Sequence, residues 1–162
     1  MLTSKRFLFS VMLATTTVCL SAGPNTSIEF NSVQDFLNLL KSPEASQRKF
    51  DSKNAPHWNT ARLLPLLSKD GVSISEATPP KTQIYKVDRI DKELASRNGG
   101  AFTTFAHISF LLSHPRKQYS SVSLTHRGST EVATISTFYK LTFTEVGGSF
   151  KLSKIEDINS GD

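Results

Sequence analysis

Apolar positions recur with a helical period in the first part of the chain and alternate in the last third. Val33, Phe36, Leu37 and Leu40 fall at i, i+3, i+4 and i+7, behind the capping residues Asn31 and Ser32 and ahead of Pro43. This predicts an amphipathic helix over Ser32–Lys41 with one face on the core. Ser42–Asn59 is polar and mixed, with room for a short helix at Ala45–Phe50. Asn59 can cap a second helical segment, Thr60–Lys69, that buries Leu63, Leu64, Leu66 and Leu67. Pro65 lies inside it. A proline lacks an N–H and clashes with the preceding turn, so the segment must kink or split into two turns.

From the Asp70-Gly71 turn onward the pattern shortens. Val72–Ser75 reads as a short strand and Ala77–Pro80 as a break. Thr82–Arg89 reads as a strand, while Asp88–Arg97 also suits a short helix. Asn98-Gly99-Gly100 reads as a loop. Over Ala101–Leu112, Phe102, Thr104, Ala106, Ile108, Phe110 and Leu112 alternate with Thr103, Phe105, His107, Ser109 and Leu111. That predicts a central strand covered on both faces. His114-Pro115-Arg116-Lys117 turns the chain into Tyr119–His126, with Val122 and Leu124 inward. Arg127-Gly128-Ser129 leads into a long strand, Thr130–Glu145, with Ala133, Ile135, Tyr139, Leu141 and Phe143 on one face. Gly147-Gly148 between two alternating runs is a two-residue hairpin signal, because glycine adopts positive φ cheaply. The hairpin sets Glu145 opposite Phe150, Phe143 opposite Leu152, Leu141 opposite Lys154 and Tyr139 opposite Glu156. Helices followed by an antiparallel meander make an α+β architecture.

The N-terminus changes the picture. Lys5-Arg6, the apolar run Phe7–Leu20 and the small residues Ser21-Ala22-Gly23 form a secretory signal pattern, with cleavage expected near Ala22. The run falls short of the roughly 20 residues a membrane span needs. Residues 1–22 are therefore expected as signal and 23–162 as one secreted domain. Cys19 is the only cysteine of the chain, so the mature domain has none. That excludes disulfides, thiolate metal sites and cysteine nucleophiles, and leaves the core to hold the fold. Loss of Lys5 and Arg6 lowers the formal charge from +5 to +3, a mild attraction to polyanions at most. Asn25-Thr26-Ser27 is a glycosylation sequon.

Candidate chemistry is sparse. The four histidines, His57, His107, His114 and His126, show no metal-ligand spacing, and no nucleophile elbow, phosphate loop or dinucleotide fingerprint is present. His107 reads as a hydrogen-bonded strand histidine and His114 as a solvated one. Arg116, Lys117, Lys151 and Lys154 lack the interleaved exposed aromatics of a single-strand groove, so no nucleic acid is expected. No cofactor or metal is implied. The informative residues are polar ones among apolar neighbours: Tyr139 and Glu156, paired in the expected register, with Thr104 and Thr137 as further pocket candidates. A carboxylate in an apolar pocket has a raised pKa and can act as acid or base. The other reading of Glu156 and Lys154 is a strand end reaching water.

The last hairpin carries a resemblance. Ser136-Thr137-Phe138-Tyr139-Lys140-Leu141-Thr142-Phe143, then Gly147-Gly148, then Phe150-Lys151-Leu152-Ser153-Lys154-Ile155-Glu156-Asp157 resembles the closing hairpin of the nuclear-transport-factor-2-like (cystatin-like, cone-shaped) fold. Val33–Leu40 is similar to that family's first helix. The resemblance implies N-terminal helices packed on a curved antiparallel sheet. It is similar to small secreted nematode-type members, although those often carry cysteines. It implies a secreted, non-enzymatic binding or interaction module, with an unknown protein or a small apolar ligand as partner and a possible homodimer through the sheet. The alternative it implies is a pocket enzyme of the ketosteroid isomerase or polyketide cyclase type.

Overall fold

The computed structural model describes residues 26–41, 57–76 and 81–159. The expected signal segment, Asn25, the Ala45–Phe50 helix and the Ala77–Pro80 break lie outside the described residues. The chain forms α1 (Thr26–Leu40), α2 (Thr60–Leu63) running into a 3-10 turn (Leu64–Leu66), β1 (Val72–Glu76), β2 (Lys81–Tyr85), α3 (Val87–Ser96), α4 (Gly99–Ser113), α5 (Lys117–Ser120), β3 (Val122–Arg127), β4 (Thr130–Ile135), β5 (Tyr139–Val146) and β6 (Ser149–Asp157). Asn59 caps α2 by accepting the Arg62 N–H at 3.3 Å, and Pro65 splits the segment at the 3-10 turn. Thr82–Arg89 is divided between β2 and α3 rather than continuing as one strand.

The strands form one open, curved six-stranded sheet in the order β2-β1-β6-β5-β4-β3. Every neighbouring pair is antiparallel except β1 and β6, which run parallel. The sheet is therefore mixed and not the antiparallel meander expected. A parallel pair needs a long crossover, and here everything from β2 to β5 supplies it.

The largest correction concerns Ala101–Leu112, which is the middle of helix α4 and not a central strand. Phe, Thr and Ile at alternate positions imitate a strand. Yet Ala101, Phe102, Phe105, Ala106, Ile108, Leu111 and Leu112 are all buried, so the helix is apolar nearly all round and its own period is masked. Asn98-Gly99-Gly100, expected as a loop, starts this helix. Asn98 Oδ1 accepts the Gly99 N–H and Glu93 Oε2 accepts the Ala101 N–H, both at 2.8 Å, which satisfies donors left free in a first turn. A Cβ at Gly100 would stand 2.5 Å from the Tyr85 hydroxyl, so a larger residue there would displace that ring.

The sheet carries three more corrections. Val122 and Leu124 are exposed, because β3 is the edge strand and neither of its faces is covered. The long strand Thr130–Glu145 is broken by a turn at residues 136–138, where Ser136 takes φ +51°. Ala133, Ile135, Tyr139, Leu141 and Phe143 nevertheless are all buried. The β5–β6 hairpin turns at Gly147 and Gly148, both at positive φ. Glu145 pairs with Phe150 and Phe143 with Leu152 as expected. A β-bulge follows. Ser153 is the extra residue, so Leu141 meets Ile155 instead of Lys154, and Tyr139 meets Asp157 instead of Glu156. Ser153 Oγ donates to the Thr142 carbonyl at 3.1 Å and lies 2.9 Å from Thr144 Oγ1. The bulge moves the buried face of β6 from even to odd positions and bends the strand.

α1 and α4 lie over the sheet. The Phe36 ring stands edge-on to Phe105 at 6.3 Å and to Phe143 at 5.4 Å, and Trp58 contacts Phe102 and Phe105. The Leu40 carbonyl, one of the acceptors a helix end leaves free, accepts Trp58 Nε1–H at 3.3 Å and the Ser109 hydroxyl. Hydrophobic packing and polar satisfaction close this end of the layer together.

Candidate functional site

The opposite end of the same helix–sheet interface is open. His107 on α4 is half-buried there, and Tyr139, the first residue of β5, is only 6% exposed. His107 Nδ1 and the Tyr139 hydroxyl lie 3.0 Å apart. With the hydroxyl donating, Nδ1 accepts and the imidazole proton sits on Nε2. Burial pushes the His107 pKa down, against an opposing pull from Asp157. Burial also pushes Tyr139 far up, and Asp157 and Glu76 add to that rise. Near neutral pH both partners are therefore uncharged, a donor–acceptor pair and not an ion pair.

His107 separates two clefts. One, of about 410 Å³, is lined by Glu76 and Ile74 from β1, by Gly100, Thr103 and Thr104 from α4, and by His107, Tyr139 and Asp157. Among the described residues its ionisable lining is two carboxylates, the neutral His107 and the protonated Tyr139, with no lysine or arginine. Glu76 is exposed and Asp157 is half-buried. The other cleft, of about 580 Å³, lies among aromatic rings toward α5.

The residues singled out from sequence fare differently. Tyr139 lines the acidic cleft. Thr104 lines it too, with its hydroxyl donating to the Gly100 carbonyl at 3.0 Å. Glu156 does not join them: the bulge turns it to the other face of β6, where it pairs with Lys154 at 2.8 Å. Thr137 is exposed in the turn before β5. His107, Asp157 and Glu76 were not among the site candidates. His107 does form the hydrogen bond expected of it, but on a helix. Asp157 was legible in the spacing of Phe150, Leu152 and Ile155, where the two-residue period slips once and puts position 157 in phase with the core.

Among the described residues no group of His, Cys, Asp and Glu is arranged to hold a metal ion, and no helix is long and apolar enough to cross a membrane. Comparison with protein-family models, with curated proteins and with solved structures finds no match.

Proposed function

We propose that the protein is a secreted, cofactor-free binding module of the nuclear-transport-factor-2-like, cone-shaped type, and that its acidic cleft takes a small ligand bearing a protonated amine. Helices over one face of a curved sheet, closed by a long antiparallel hairpin, support the fold reading. The Lys5-Arg6 start, the Phe7–Leu20 run and Ala22 support export; material recovered outside the cell should begin near Ala22 or Gly23. Phe36, Phe105 and Phe143 are fully buried at the closed end, so the reading rests on the open end.

The observation that carries the binding reading is the Tyr139 hydroxyl, tied to His107 in an open cleft whose charged groups, among the described residues, are Asp157 and Glu76. A cation gains from the carboxylates, and a neutral hydroxyl–imidazole pair orients its donors. The test is calorimetric titration with benzylamine, against benzoate and benzyl alcohol as controls of matched size. The amine alone should bind, and Asp157→Asn should weaken it about tenfold or more. Equal responses to amine and benzoate, or indifference to Asp157→Asn, would remove the reading.

One feature favours a second reading. Asp157 stands directly across from protonated Tyr139, and a carboxylate beside a hydroxyl donor is what proton transfer in a ketosteroid isomerase or polyketide cyclase type of enzyme requires. Turnover of an enolisable ketone, abolished by Asp157→Asn, would select the enzyme.

A further inference from the structure

The larger cleft is bounded by a closed circuit of rings. His107 stacks near Phe110 at 6.4 Å, Phe110 meets His114 at 5.3 Å, and His114 meets Tyr119 at 4.8 Å. Tyr119 lies 6.2 Å from Phe138, and Phe138 returns to His107 at 6.1 Å. Three separate elements supply them. His107, Phe110 and His114 stand at i, i+3 and i+7 on α4 and its C-cap, which places them along one helix face. Tyr119 comes from α5, and Phe138 from the turn before β5.

The backbone holds the last two of these sources together. Ser136 donates its N–H to the Ser121 carbonyl at 2.8 Å and its hydroxyl to the Tyr119 carbonyl, and the Ile158 N–H reaches the Phe138 carbonyl at 2.8 Å. Ser136 adopts φ +51° to make these contacts, a conformation a side chain seldom takes. The rings therefore stand around a preformed space of about 580 Å³, within the range of small-molecule sites. None of the five is fully buried. A simple core cluster would have closed on itself.

Charge decides the occupant. Arg116 lines this cleft and, among the described residues, no carboxylate does. His114 Nδ1 accepts the Arg116 backbone N–H at 3.1 Å, so a neutral His114 carries its proton on Nε2 and is a donor. Aromatic walls stack a flat ring, a guanidinium forks onto a carboxylate, and the imidazole adds a second donor. We propose that this cleft is a second binding site, distinct from the acidic one, for a planar, ring-bearing organic anion. An aromatic cage also attracts cations, but Arg116 opposes one here.

The test uses the full domain, with naphthalene acetate as the anion and naphthylmethylammonium as a cation carrying the same ring. Calorimetry should show saturable binding of the anion and none of the cation. Arg116→Ala and Phe138→Ala should each weaken the anion about tenfold or more with circular dichroism unchanged, and Arg116→Lys should restore part of the loss. Asp157→Asn should weaken benzylamine binding without weakening that of the anion, which separates this site from the acidic cleft. Cation binding equal to or tighter than the anion's, no saturable binding of the anion, or an anion affinity unmoved by both variants would overturn the proposal.

Discussion

The two ends of the α4–sheet interface share a helix and a sheet yet reach opposite outcomes. At one end Phe36, Phe105 and Phe143 interlock with no exposed surface. At the other, His107, Phe110 and Phe138 remain half-open around two clefts. The sheet changes between them, from Phe143 and Leu152 to Tyr139 and Asp157, and so does the cover over it. α1 and Trp58 cap the closed end, and the Leu40 carbonyl is held there by both Trp58 and Ser109. Nothing among the described residues covers His107 in that way. The lesson is that a layer of this kind acquires a binding site where its cover stops, and that the residues there change from phenylalanine and leucine to histidine, tyrosine and carboxylate.

The largest test of this contrast is Phe143→Ala. It should cost about 3–5 kcal/mol, because a large ring leaves a site whose neighbours cannot collapse. Phe138→Ala at the open end should cost no more than about 1 kcal/mol, as a half-exposed position does. Urea denaturation of both variants measures it, and equal costs would erase the distinction between the ends.

A smaller effect lies in the pH dependence of the open end. Folded His107 has a pKa below its usual value near 6.5. As pH falls through that value the unfolded chain takes up the proton and the folded chain resists it. Stability therefore drops on acidification until the folded pKa is passed. Tyr139 acts at the other limb. Its folded pKa lies above the usual value of 10.0, so above that pH the unfolded chain ionises first and stability falls again. Tyr85, also raised by burial, shares the alkaline limb. Thermal melts across pH should show His107→Gln flattening the acid limb and Tyr139→Phe reducing the alkaline one. Unchanged slopes would mean that the buried pair does not resist charging.

The smallest effect sits at the boundary between the ends. Before the bulge, β6 directs Phe150 and Leu152 to the core beside Phe143; after it, Ile155 and Asp157 take over. Ser153→Ala removes the hydroxyl bonds to Thr142 and Thr144 and should cost about 1 kcal/mol. Cross-strand nuclear Overhauser contacts between Leu141 and Ile155 should survive. Their replacement by contacts from Leu141 to Lys154 would show that Ser153 alone holds the register.

The sequence by itself determined the elements that keep one face in water. The α1 stripe, the Asn59 cap, the Pro65 break, the short strand at Val72 and the glycine hairpin with its first two pairs all follow from local chemistry. The α+β class followed from their order. The tertiary structure decided the rest. α4 is buried on nearly every side, so no polar face marks its period and its alternating rings read as a strand. The parallel β1–β6 pairing joins segments far apart in the chain, which no local pattern encodes. The bulge at Ser153 needs only one slip in the period, and that slip exchanges Glu156 for Asp157 beside Tyr139. The clefts belong to this second group, because they exist only where helix, turn and sheet end arrive together.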